Sequence, residues 1–156
     1  MRYFSHPITL AAAFAITLAS TVSAGAATID FSAVQGSQGA TLVLPEATIN
    51  NLSGGTILVG PGAASQVDGF CFLLGGTCEA DGDIVFTSAV QNLRFDVDGA
   101  DAGDSVEISA FNGATFLGSI STTTNGLLDF AGFGPTTRLF FDDSSSAAGF
   151  GYSTFV

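Results

Sequence analysis

The chain has 156 residues and a formal net charge of −11, from three Lys plus Arg against fourteen Asp plus Glu. Nucleic-acid binding draws most of its affinity from Lys and Arg on phosphates, so a chain with no lysine and only Arg2, Arg94 and Arg138 is unsuited to it, and to anionic membrane surfaces. Fifteen Phe and 47% hydrophobic residues exclude the opposite extreme, a disordered acidic tail.

Residues 1–27 read as a secretory signal peptide. Arg2 supplies the positive end, the apolar stretch from Ile8 to Leu18 has h-region length, and small residues follow. Val22-Ser23-Ala24 and Ala24-Gly25-Ala26 both satisfy the small-x-small rule, so cleavage is expected after Ala24, Ala26 or Ala27. The apolar run is shorter than the roughly 20 residues that span a bilayer, and no later stretch approaches that length. Cleavage takes away Met1, Arg2 and the only histidine, His6, leaving residues 28–156 with neither His nor Lys and with all fourteen acids.

Beyond residue 28, helical periodicity gives way to short runs of Val, Ile, Phe and Thr between Gly, Asn, Asp and Ser clusters, the pattern of an all-β chain. Strands are predicted over 28–33, 41–45, 56–60, 69–74, 83–87, 92–98, 105–111, 115–122, 126–130, 137–142 and 150–155. Alternation places Leu93, Phe95 and Val97 opposite Arg94, Asp96 and Asp98, and Val106, Ile108 and Ala110 opposite Ser105, Glu107 and Ser109. Asn112-Gly113 is a two-residue hairpin turn signal and Asn125-Gly126 a second turn candidate. The fold class expected is an antiparallel β-sandwich, jelly-roll-like, formed by residues 28–156 as a single domain.

Cys71 and Cys78 flank Phe-Leu-Leu-Gly-Gly-Thr, a short loop with Gly-Gly at its tip. In an exported chain this suggests a disulfide clamping a hairpin; the alternative, a thiolate metal pair, lacks the further Cys or His that a zinc site needs.

The Thr28-Ile29-Asp30-Phe31 opening after the signal peptide carries a resemblance. So do the stretch Asn92-Leu93-Arg94-Phe95-Asp96-Val97-Asp98-Gly99 with Gly103-Asp104-Ser105-Val106, and Thr137-Arg138-Leu139-Phe140-Phe141-Asp142-Asp143 ahead of Gly149-Phe150-Gly151-Tyr152. Together they resemble exported bacterial proteins of the PEP-CTERM type. In that family a β-sandwich ectodomain precedes a Val-Pro-Glu-Pro motif, a membrane span and a basic sorting tail, none of which occurs before Val156. Leu44-Pro45-Glu46-Ala47-Thr48 is superficially similar to the motif but reads as a turn, and Ser153-Thr154 stands where the family often has Asp-Asn. The resemblance implies a truncated or anchorless relative associated with exopolysaccharide and biofilm matrix.

The densest acidic cluster is Asp96, Asp98, Asp101 and Asp104, with Glu107 beyond. Hard oxygens at close spacing suit Ca²⁺, which takes about six to eight of them, so these four aspartates are the candidate metal ligands and Ca²⁺ the candidate cofactor. An EF-hand register fails because Asp101 falls where that loop needs Gly. The competing reading is a solvated turn between two strands. Catalysis is poorly supplied: with no His or Lys and with oxidised cysteines, only carboxylate chemistry remains, and Glu46, Glu79 and Glu107 show no distinctive spacing. Sugar platforms generally use Trp or Tyr, and residues 28–156 hold no Trp and only Tyr152, while their thirteen Phe are read as mostly core. Asn51-Leu52-Ser53 matches a glycosylation sequon that the bacterial resemblance argues against. The expected function is a secreted or cell-surface, non-catalytic envelope or matrix protein that meets extracellular polysaccharide. The alternative is a Ca²⁺-dependent carbohydrate-binding module, and a carboxylate-based glycan hydrolase is a more distant third.

Overall fold

The structure is a computed structural model that describes residues 28–60, 69–145 and 148–156; the expected signal peptide lies outside them. Among the described residues twelve strands are formed: β1 (Gly36–Ser37), β2 (Thr41–Val43), β3 (Ala47–Asn51), β4 (Thr56–Val59), β5 (Gly69–Leu73), β6 (Gly82–Val90), β7 (Arg94–Asp98), β8 (Val106–Asn112), β9 (Thr115–Thr122), β10 (Gly126–Asp129), β11 (Thr136–Asp143) and β12 (Gly151–Ser153). They make two six-stranded sheets. Sheet A runs β2-β3-β6-β11-β8-β9 and sheet B runs β1-β4-β5-β12-β7-β10, with every strand pair antiparallel. Early and late strands interleave in both sheets, because the chain repeatedly crosses from one to the other. The result is the expected β-sandwich.

Alternation decides which side chains fill the space between the sheets. Ile49, Ile84, Leu139 and Ala110 lie at one register level across sheet A and all are fully buried. Sheet B answers with aromatic rings: Phe70, Phe72, Phe95 and Tyr152 are buried. The Phe95 ring stacks on Phe155 at 4.7 Å, and Tyr152 meets Phe141 of the opposite sheet at 4.6 Å. Burial of such rings contributes on the order of 2–3 kcal/mol each.

The first predicted strand does not form. Asp30 Oδ1 accepts the Ser32 amide at 2.8 Å and the Val34 amide donates to the Phe31 carbonyl at 3.0 Å, so side-chain capping bends residues 30–34 into a turn. Ile29 and Phe31 are nevertheless buried, the latter 5.3 Å from the Phe70 ring. Conversely, β1 and β3 lack strong strand composition and are imposed by their neighbours. In β3, Ile49 fills the core while Asn51 donates to the carbonyls of Thr56 and Leu73 and accepts from the amides of Ser53 and Gly55. That fourfold use of a buried side chain also removes Asn51 as a glycan acceptor.

The β8–β9 hairpin exists, but its turn is shifted by one residue from expectation. Asn112 pairs with Thr115, leaving Gly113-Ala114 as the loop, with Gly113 at φ 58°. Asn125-Gly126 joins strands of different sheets, and Asn125 Oδ1 accepts the Ala100 amide at 2.7 Å. Cys71 and Cys78 are disulfide-bonded with Cα atoms 5.5 Å apart, across a tight turn in which Leu74 and Thr77 exchange backbone hydrogen bonds. Gly75 and Gly76 both have positive φ there, the requirement of a type I′ turn. The disulfide packs with Leu58 and Leu73 in a small cluster separate from the main core. Among the described residues no helix is long and apolar enough to cross a membrane.

Candidate functional site

Because Leu139 and Phe141 point into the core, Arg138 and Phe140 must point out of sheet A, and the same alternation turns Asp83, Val85, Ser109 and Phe111 outward. Two rows cross the outer face of this sheet. Thr41, Asn50, Asp83, Phe140, Ser109 and Ser119 occupy one register level; Val43, Thr48, Val85, Arg138, Phe111 and Phe116 occupy the next. Register irregularities between Thr136 and Arg138 on β11 and between Ala110 and Phe111 on β8 fall beside the second row, where bulges commonly re-aim side chains.

A continuous polar chain holds these side chains in place. Thr41 Oγ1 donates to Asn50 Oδ1 at 3.1 Å, Asn50 Nδ2 donates to Asp83 Oδ1 at 2.8 Å, and Arg138 Nε donates to Asp83 Oδ2 at 2.8 Å. The Arg138 guanidinium lies 5.6 Å from the ring centroids of both Phe111 and Phe140, within cation–π range. Phe111 in turn meets Phe116 edge-on at 5.6 Å. Phe116 is 56% exposed and Val85 41%, so the strip presents apolar faces to water around a fixed cation and a fixed carboxylate. Six strands at roughly 4.8 Å spacing make this face about 24 Å wide.

Most Phe residues are in the core as expected, but three depart from that preference: Phe116 is exposed and Phe111 and Phe140 are half-buried on the outer face of sheet A. Their position was available from alternation, since Phe111 follows the inward Ala110 and Phe140 sits between inward Leu139 and Phe141. Phe lacks the polar edge of Trp or Tyr, and on this face Arg138 and Asp83 supply polar groups beside the rings.

The four aspartates proposed as metal ligands are placed apart. Asp96 and Asp98 share the outer face of sheet B, as alternation requires, with Asp98 Oδ1 accepting the Gly99 amide at 2.9 Å. Asp101 is exposed on the following loop, whereas Asp104 is buried and turned inward. Among the described residues no three His, Cys, Asp or Glu side chains are grouped to hold a metal ion. Arg94 ion-pairs with Asp129 at 3.0 Å, and that hydrogen bond, helped by the Ala131 amide, holds the Asp129 carboxyl below its usual range.

A depression of about 540 Å³ lies between the disulfide turn and the 99–101 loop. It is lined by Leu58, Leu73, Thr77, Cys78, Asn125 and Asp101 together with glycines and alanines, so a single carboxylate faces it. No known protein family, curated protein or solved structure matches this chain.

Proposed function

We propose that this protein is an exported, non-catalytic envelope or matrix component that attaches to extracellular polysaccharide through the outer face of sheet A. The observation that carries this reading is the Phe111–Arg138–Phe140 strip braced by Asp83 and Asn50. Apolar ring faces pack against the C–H faces of sugar rings, while a small set of fixed polar groups selects hydroxyl positions. Pre-ordering of Arg138 by Asp83 and two rings lowers the entropy that binding has to overcome. A net charge of −11 repels polyanions, so an uncharged polysaccharide is the favoured class. The export reading is supported by the signal-peptide pattern of residues 1–27 and by a disulfide, a bond that persists in oxidising compartments. The PEP-CTERM resemblance agrees with it on motifs alone.

Affinity electrophoresis through gels containing soluble neutral polysaccharides tests this. The chain should be retarded by at least one of them, and Phe116→Ser and Arg138→Met should each relieve the retardation. Phe116 is more than half exposed, so its replacement costs about 0.5 kcal/mol of stability or less and separates binding from folding. No retardation across the panel, or retardation that neither variant changes, rejects the assignment. New reducing ends in the same mixtures would instead favour a hydrolase.

A further inference from the structure

A buried polar cluster, separate from the sheet A strip, closes one end of the sandwich. Asp104 is 2% exposed; its Oδ2 accepts the Asp101 amide at 2.8 Å, but its buried Oδ1 has no hydrogen-bond partner. Asp143 repeats the arrangement: Oδ1 accepts the Ser145 amide at 2.8 Å and Oδ2 is buried without a partner. Tyr152 is 1% exposed and its hydroxyl is likewise unpartnered. The fold brings the three together. Asp143 is two residues beyond Phe141 on the inward face of β11, and Phe141 packs on the Tyr152 ring at 4.6 Å. Asp143 also pairs with Val106, two residues after Asp104, and its amide donates to Asp81 Oδ1 at 3.0 Å. The electrostatics agree with this proximity. Burial pushes the Asp143 carboxyl up, against the hydrogen bonds from Ser145 that lower it and with a smaller push from the charge of Asp104, while burial followed by the charges of Asp143 and Asp81 raises the Tyr152 hydroxyl well above its ordinary value.

Two carboxylates taken out of water beside each other need a proton or a cation to offset them. Among the described residues both arginines are committed elsewhere, Arg94 to Asp129 and Arg138 to Asp83, and the chain has no lysine. Burial of three hard oxygens without partners, where the other buried polar side chains among the described residues are satisfied, is an arrangement that an oxygen-seeking cation resolves. We propose that Asp104 Oδ1 and Asp143 Oδ2, beside Tyr152 Oη, form a calcium site. The two carboxylates would balance the ion's charge, with main-chain carbonyls and water completing the shell. Of the four aspartates singled out from the sequence, only Asp104 belongs to it. The site ties the loop before β8, the end of β11 and β12 together, and so links sheet A to sheet B. Its role is to lock the fold, independently of what the outer face of sheet A binds.

Terbium, a luminescent stand-in for Ca²⁺, tests this, because Tyr152 is the only tyrosine besides Tyr3 and the chain has no tryptophan. The full chain carrying Tyr3→Phe is titrated with Tb³⁺ under excitation of the tyrosine band. Saturable sensitised emission that Ca²⁺ displaces is expected, together with a chelator-reversible rise in melting temperature of about 5 °C at millimolar Ca²⁺. Asp104→Asn and Asp143→Asn should abolish both signals, and Asp96→Asn and Asp98→Asn should leave both. Should either core variant fail to fold, Tyr152→Phe keeps the buried ring: it should lose the emission and retain the Ca²⁺-induced shift. Absence of both signals in the parent overturns the proposal. Signals that survive Asp143→Asn but not Asp96→Asn overturn it in favour of the surface loop.

Discussion

Replacing Arg138 with Met should destabilise the protein by about 2 kcal/mol, through what it does to Asp83. The Asp83 side chain is 10% exposed and that of Arg138 37%, so this ion pair lies between two measured extremes. A fully exposed pair contributes about 0.2–1 kcal/mol, whereas removing one partner of a fully buried pair costs roughly 3–5 kcal/mol because a charge is left uncompensated. Met keeps most of the aliphatic stem that packs beside Phe111 and Phe140, so the loss reports chiefly on the guanidinium. Asn50 still donates to Asp83 and limits the damage. Adding Asp83→Asn should restore much of the loss, since the uncompensated charge is then gone, giving a coupling energy of about 1–1.5 kcal/mol. Urea denaturation of the parent, both single variants and the double variant measures this cycle. The single Arg138→Met variant should also melt roughly 6 °C below the parent. If that variant is within about 0.5 kcal/mol of the parent, or if the two substitutions simply add, Asp83 is adequately solvated and the strip on sheet A is not pre-ordered by this pair.

Three further outcomes follow from the packing and the charges. Replacing both Cys71 and Cys78 with Ala should cost about 2–3 kcal/mol in denaturant, the chain-entropy value for a loop of this length, and a loss well below that would mean the turn is formed without the crosslink. Gly82→Ala should destabilise by roughly 3 kcal/mol, because its Cβ would stand 2.2 Å from the buried ring of Phe72; a melting temperature equal to that of the parent would show that the ring has room to move. Asp129, whose carboxyl is held below its ordinary value by Arg94, contributes stability that is present above the unfolded carboxylate range and is lost as the pH falls through its folded value. An NMR titration should show the Asp129 carboxyl moving up towards its usual range in Arg94→Gln, with the Ala131 amide still holding it partly down, and no movement would refute the pairing.

Period-two patterning made most of the sheets legible in advance. Phe95 and Val97 face inward opposite Asp96 and Asp98, and Val106, Ile108 and Ala110 face inward opposite Glu107 and Ser109, because a strand has only two sides and only one can be buried. The same rule already placed Phe111 and Phe140 outside, and it was overridden by a compositional preference for Phe in cores. The disulfide was readable because two cysteines with a Gly-Gly tip between them are local. Locality also misled: a Thr-Ile-Asp-Phe run has strand composition, yet Asp30 captures the Ser32 amide and bends it.

The sequence by itself determined an acidic all-β chain with short strands, a clamped turn and an export pattern, since these follow from counts and from contacts within a few residues. Which strands neighbour one another was decided only by the tertiary structure, and with it every grouping that carries chemistry. Asp83 and Arg138 are 55 positions apart and Asp81 and Asp143 are 62 apart, yet each pair is hydrogen-bonded. Conversely, Asp96 and Asp98 are near neighbours of Asp104 in the chain but stand on the opposite side of a sheet from it, because the chain leaves sheet B between them and crosses to sheet A. Acidic residues close in sequence were therefore separated by the pleat and the crossover, while distant ones were brought together by strand pairing.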